Sequence, residues 1–257
     1  MLKARIIPCL LLKGRGLYKT VKFSDPKYVG DPVNAVKIFN EKEVDELLVL
    51  DITATAEKRE PNFELIGDIA GECFMPLAYG GGVSSLEQIR RLQRVGVEKV
   101  SLNSAAFHNR DLVKDACLTF GTSSIVAAID VKKSFFGKYE VWINAGKTNT
   151  KEDPIRYAEQ LARLGVGEIL VNSIDRDGTM GGLDTNLLKS IVGAVDTPVI
   201  ACGGAGNLTH LHEGISCGVN AVAAGSMFVF HGKHKAVLIN YPSGTQLEEI
   251  QLESTRQ

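Results

Sequence analysis

Glu46-Leu47-Leu48-Val49 and Glu168-Ile169-Leu170-Val171 are one pattern written twice, 122 residues apart (168 − 46). Each is a carboxylate followed by an unbroken apolar run. A run without alternation fits a strand buried on both faces, as in a parallel sheet covered by helices. Six further runs have the same character: Ile6–Leu12, Met75–Tyr79, Val100–Asn103, Ser124–Asp130, Pro198–Cys202 and Ala221–Ala224. With Leu47–Asp51 and Ile169–Ser173 they make eight, and helical patterns separate them. Eight such units in 257 residues predict an α/β chain folded as a single closed (β/α)₈ barrel.

The repeat reaches beyond those two strands. Asp31-Pro32 returns as Asp153-Pro154 and Gly96-Val97 as Gly218-Val219, both at 122 (153 − 31, 218 − 96). Gly80-Gly81-Gly82 is answered by Gly203-Gly204 at 123 (203 − 80). One match would say little. Four in the same order make the chain two similar half-barrels of four βα units each. Local helix signals agree. Asp31-Pro32 and Asp153-Pro154 each offer an N-cap followed by proline at the first helical position. Ser84 and Glu87 have capping-box spacing, and Leu86, Ile89 and Leu92 then form one apolar face. The barrel is expected over residues 1–242, with 243–257 as a polar, loosely held C-terminal tail.

Composition narrows the function. Lysine and arginine total 29 against 30 acidic residues, so nothing asks for nucleic acid or an anionic membrane as partner. No apolar run is long enough to span a bilayer, and the N-terminus shows no signal-peptide pattern. Cys9, Cys73, Cys117, Cys202 and Cys217 are scattered without a C-x-x-C, which reads as reduced thiols in a cytoplasmic protein. No metal set and no cofactor motif stands out. His231 and His234 lack a third ligand and are taken as a surface or partner contact.

Chemistry in such barrels sits at the C-terminal ends of the strands. Gly80-Gly81-Gly82 follows the third strand and Asn103-Ser104 the fourth. Gly203-Gly204-Ala205-Gly206 follows the seventh and Gly225-Ser226 the eighth. A single glycine run needs no more than a tight turn to account for it. Two at equivalent places, each paired with Asn or Ser, read as anion cradles for a ligand carrying a phosphate at each end. Asp51 ends the second strand and Asp130 the fifth, where carboxylates are candidate acids or bases. Asp175-Arg176-Asp177-Gly178-Thr179 follows the sixth, and Asp175 is equally well explained as a cap or salt-bridge partner. Lys19, in the first loop, could pair with a phosphate or a carboxylate.

The halves differ at one place. Aligning Lys13 with Lys132 (132 − 13 = 119) sets Cys9-Leu10-Leu11-Leu12 against Ala128-Ile129-Asp130-Val131. Leu11 therefore stands where a partner for Asp130 is due. Four more charges, Arg5, Glu46, Lys99 and Glu168, stand just before strands, at the opposite face of the barrel. Two of each sign could close a salt-bridge ring around the axis, although solvated strand ends are equally common.

These residues resemble a known family. Thr53 after Leu50-Asp51-Ile52, the Tyr79-Gly80-Gly81-Gly82 turn, Asn103-Ser104-Ala105-Ala106, Asp175-Arg176-Asp177-Gly178-Thr179 and Gly203-Gly204-Ala205-Gly206 are similar to the cyclase subunit of imidazole glycerol phosphate synthase. The likeness runs from Arg5 to about Phe228. It implies a subunit that takes ammonia from a glutaminase docked at the N-terminal face and passes it through the barrel to a bisphosphate. It implies that Arg5, Glu46, Lys99 and Glu168 gate the ammonia. Gly82, Asn103 and Ser104 would hold one phosphate, and Asp177, Gly178, Gly204, Gly225 and Ser226 the other. Asp130 matches one of two catalytic aspartates, and Leu11 replaces the second. Losing a positioned acid or base costs on the order of 10²–10⁴ in rate.

Cys9-Leu10-Leu11-Leu12-Lys13, the stretch Val21–Pro32, Glu60-Pro61 and the stretch His231–Val237 look more like a divergent branch of that family. This branch is associated with acetamidino modification of cell-surface sugars, where ammonia is passed to a third protein, an amidotransferase. Three other readings compete: a histidine-pathway cyclase relying on Asp130, a non-catalytic scaffold that activates a glutaminase, and a sugar isomerase on the same half-barrel plan.

Overall fold

The computed structural model describes residues 3–232 and 234–254. Eight parallel strands close on themselves: Arg5–Lys13, Leu47–Asp51, Leu77–Gly80, Lys99–Leu102, Ile125–Lys133, Glu168–Ser173, Val199–Cys202 and Ala221–Ala224. The first pairs with the eighth in register from Arg5↔Ala221 to Pro8↔Ala224. All eight expected strands are present, with ends moved by a few residues. The third begins at Leu77 because Pro76 before it has no N–H to give; its carbonyl takes the Leu47 N–H instead, at 2.9 Å.

Two apolar layers follow from alternation along the strands. Residues facing out, among them Val49, Tyr79, Ile129 and Val171, pack beneath the helices. Residues facing in, among them Ile7, Leu48, Ala78, Val126, Leu170 and Ile200, fill the barrel. Helices Pro32–Glu41 and Pro154–Arg163 start where expected. Asp31 accepts from the Asn34 N–H at 2.9 Å, and Asp153 from those of Ile155 and Arg156 at 2.9 and 3.1 Å.

Two expectations need correction. Helix Leu86–Arg94 is capped by Ser85, not Ser84; Ser85 accepts from Gln88 N–H, and the Gln88 side chain reaches back to the Ser84 N–H at 2.7 Å. Glu87, one residue early, instead pairs with Arg90. The stretch expected as a loose tail forms helix Gly244–Ser254, packed on helix Leu208–Ser216 with Ile250 buried. Ser243 caps it, taking the Gln246 N–H while Gln246 takes the Ser243 N–H. Strands one and five also run past the barrel rim into antiparallel extensions, absent from the sequence reading. Gly16–Val21 and Ser24–Gly30 extend the first; Tyr139–Ile143 and Thr148–Asn149 extend the fifth. They sit at equivalent places in the two halves. Among the described residues no helix is long and apolar enough to cross a membrane.

Candidate functional site

At the N-terminal end of the barrel the four charges close a ring. Arg5 bonds Glu46 through Nη1 and Glu168 through Nη2. Lys99 bonds the same two carboxylates at 2.8 and 2.9 Å. Both glutamates are buried and both cations partly exposed. The ring thus stands across the barrel axis, and the reading of solvated strand ends falls away. Above it lie Ile7, Leu48, Ala78, Val126, Leu170, Ile200 and Ala221, with Ser101 as a buried polar member.

At the other end the strands open into a cavity of about 300 Å³. Lys19, Asp51, Asn103, Ser104, Asp130, Asp177, Gly178, Gly204, Gly225 and Ser226 all line it, and so does Leu11. A second cavity of about 470 Å³ adjoins it, sharing Asn103 and Ser104 and adding Gly82, Lys58, Arg59 and His108. The two glycine-bearing sets therefore occupy different strand ends of one mouth. Gly82 has φ +72, and a Cβ there would lie 2.6 Å from the Arg59 carbonyl oxygen, so only glycine lets that turn close.

The carboxylates differ in their surroundings. Asp130 accepts from Asn103 Nδ2 at 3.2 Å, and the same amide also donates to the Ala128 carbonyl at 3.0 Å. Burial pushes the Asp130 carboxyl up to about 7, the Asp177 charge adds to that, and the Asn103 bond opposes it. A group so poised can give or take a proton near neutrality. Asp177 is also raised by burial, with Lys19 and the Thr20 hydroxyl at 3.1 Å pulling it back. Asp51 is committed elsewhere. It takes the Thr53 and Ala54 N–H groups, each at 3.0 Å, and Arg59 at 3.1 Å. Those bonds tie Asp51 to its own loop at the cavity wall. Asp175 likewise takes the Lys133 N–H at 2.8 Å.

Leu11 packs with Leu50 on the inner cluster and gives the mouth one apolar wall. The polar wall opposite includes a residue the sequence reading passed over, Asn172. It is the register partner of Asp130 on the neighbouring strand, and its amide oxygen is buried with no hydrogen-bond partner among the described residues. Counting alternate residues up from Glu168 would have found it facing inward. Arg59 and Lys58 were passed over, and His108 was read as a helix or loop histidine without a site role, because in loops and helices spacing says nothing of direction; all three line the second cavity.

His231 and His234 are exposed, and among the described residues no group of three or more His, Cys, Asp or Glu could hold a metal. The five cysteines are free thiols.

Residues 5–235 match the model of the family described as histidine biosynthesis proteins. A Pseudomonas aeruginosa protein assigned by name to imidazole glycerol phosphate synthase as subunit hisF2 is 53% identical over 250 residues, 96% of this chain and 99% of its own. The chain belongs to the HisF-type imidazole glycerol phosphate synthase subunits. A Leptospira borgpetersenii relative, assigned by name as the HisF subunit, is 48% identical over 97% of this chain and 99% of its own. A Vibrio vulnificus relative, assigned as subunit hisF3, is 47% identical over 96% and 95%. The numbered names, hisF2 and hisF3, mark additional copies of a HisF-type subunit, and this chain is such a divergent HisF-type paralogue.

Proposed function

We propose that this HisF-type subunit receives ammonia from a glutaminase docked on its N-terminal face and delivers it to chemistry at the C-terminal mouth. In this reading the ammonia serves acetamidino sugar formation in surface polysaccharide synthesis, with a third protein, an amidotransferase, as acceptor. The observation that carries it is the pairing of a complete charge ring with an incomplete acid–base pair. The ring of Arg5, Glu46, Lys99 and Glu168 is intact, the interior above it is apolar, and Leu11 faces the mouth where Asp130 needs a carboxylate opposite. An apolar interior suits neutral ammonia and disfavours ammonium, whose burial costs several kcal/mol. Gly82, Asn103 and Ser104 on one side, and Asp177, Gly178, Gly204, Gly225 and Ser226 on the other, would hold the phosphates of a bisphosphate.

A second reading is favoured by the relatives' names and by Asp130, poised near neutrality: ring closure to imidazole glycerol phosphate, as in histidine synthesis. One assay separates the two. The purified chain is given the cyclase family's bisphosphate substrate with excess ammonium salt in place of a glutaminase. The acetamidino reading expects binding without turnover. Turnover within tenfold of a two-aspartate cyclase would sink it and establish the histidine-pathway reading.

A further inference from the structure

We propose that Lys19 is an imine-forming amine, whose Nζ condenses with the carbonyl of a phosphorylated ketose or aldehyde seated at the mouth. The inference rests on reading Gly225-Ser226 as a phosphate cradle. Three observations meet at this side chain.

Lys19 is buried, 5% exposed, yet lines the cavity. Its one hydrogen bond among the described residues goes to the Cys9 carbonyl oxygen. Asp177, the neighbouring carboxylate, takes the Thr20 hydroxyl at 3.1 Å and forms no ion pair with Lys19 among the described residues. A buried ammonium without a carboxylate in contact is costly, and the usual resolution is loss of the proton. Burial does pull the Lys19 amine down, against the opposing pull of Cys9, Asp177 and Cys202. The free amine is the nucleophilic form.

The amine is also placed against the cradle. A Cβ on Gly225 would run into Lys19 Nζ. Only glycine at the end of the eighth strand leaves room for the lysine to lie there, directly beside Ser226. A phosphate held at those backbone N–H groups would bring a carbonyl a few atoms away next to Nζ.

The third observation explains why the amine is unpaired. Leu11 is the register partner of Tyr18, the residue before Lys19. Leu11 and Lys19 line the same cavity, so an aspartate at position 11 would add a carboxylate to the mouth and favour the charged lysine. Leucine removes it.

The step balances without any oxidant or reductant. The Nζ lone pair attacks the carbonyl carbon, a C–N bond forms, and the C–O bond of the resulting carbinolamine breaks. The oxygen leaves as water with the two protons the nitrogen gives up. Asp177, whose carboxyl burial pushes up from its ordinary value, lies in the same cavity and can relay a proton to that oxygen. The Leu11–Leu50 wall makes one side of the site apolar, which favours the dehydrated imine.

The test uses the full chain, dihydroxyacetone phosphate and borohydride at about pH 7.5, followed by intact mass and peptide mapping. The expected result is one reduced adduct per chain, on Lys19, absent in Lys19→Arg and suppressed by inorganic phosphate. Leu11→Asp should slow its formation about tenfold or more, by raising the amine. Circular dichroism checks that the variants fold, and mapping of the unaltered chain needs no variant. Labelling spread over surface lysines, at equal rates in Lys19→Arg, overturns the proposal. So does the absence of adduct while calorimetry shows inorganic phosphate bound. An adduct on Lys19 that phosphate does not suppress supports the amine and overturns the cradle reading instead.

Discussion

At the scale of single residues, Asp130 gives the sharpest expectation. Its carboxyl titrates near 7 in the folded chain and near 4 when unfolded. Between those values the native state holds a proton that the unfolded state has lost. Stability must therefore fall as pH rises from about 4 to about 7, by on the order of 2 to 4 kcal/mol, with cavity water reducing the upper figure. Asp130→Asn removes this dependence. Urea unfolding at pH 5 and pH 8 should show the variant losing less stability between them than the parent does; equal losses would deny the shift. Leu11→Asp runs the other way. A second carboxylate in the mouth should lower stability at pH 8 by about 1 to 3 kcal/mol. In the cyclase assay it should raise turnover on the order of 10²-fold, if the missing acid is what silences ring closure. No gain over the parent would place the block elsewhere. Asp130 and Leu11 were legible in the sequence because the repeat supplied an internal standard for each position. Asn172 was not, because its repeat mate is Leu50 (172 − 122) and the comparison gave no polar residue to look for.

At the scale of elements, the repeat makes a paired prediction. Asp31 caps its helix with one hydrogen bond and Asp153 caps its counterpart with two. Asp31→Ala should cost about 1 kcal/mol and Asp153→Ala more, toward 2 kcal/mol, in urea unfolding. An equal or reversed order would mean that the second bond adds nothing. The strands and these helices were readable because burial on both faces writes continuous apolar runs, and because Asp-Pro is a strong start signal. The rim hairpins were not. Ser24–Gly30 is largely exposed and carries Pro26, so it has neither the apolar run nor the alternation by which a strand is recognised. It forms because Gly16–Val21 already stands against strand one and offers an edge. The C-terminal helix was hidden for a similar reason. Among its described side chains the buried contact is Ile250, which meets helix Leu208–Ser216, in an otherwise polar stretch. Ile250→Ala should cost about 2 kcal/mol, the low end for a buried isoleucine because the contact lies at the edge of the core. A cost near zero would mean that the helix is held by something other than this contact.

At the scale of the whole molecule, the charge ring closes one end of the barrel and the cavity opens at the other. Its four charges alternate in sign, so each glutamate holds two cations and each cation two glutamates. Removing Lys99 leaves Arg5 alone between two buried carboxylates. Lys99→Met should therefore destabilise the chain by about 1 to 3 kcal/mol, below the cost of a fully buried pair because Lys99 is partly exposed. Its functional effect should be selective. On the proposed reading, ammonia made by a docked glutaminase passes the ring and the apolar layer of Ile7, Leu48, Val126 and Leu170 to reach the mouth. Ammonia added to the medium can enter at the mouth directly. With the glutaminase bound, Lys99→Met and Glu46→Ala should lower glutamine-driven product several-fold relative to glutamate released, while product driven by saturating ammonium salt stays near the parent's level. A loss in both assays would mean that the variants damage the mouth through the fold. If both assays are unchanged, the ring is structural, ammonia takes another path, and the barrel does not conduct it.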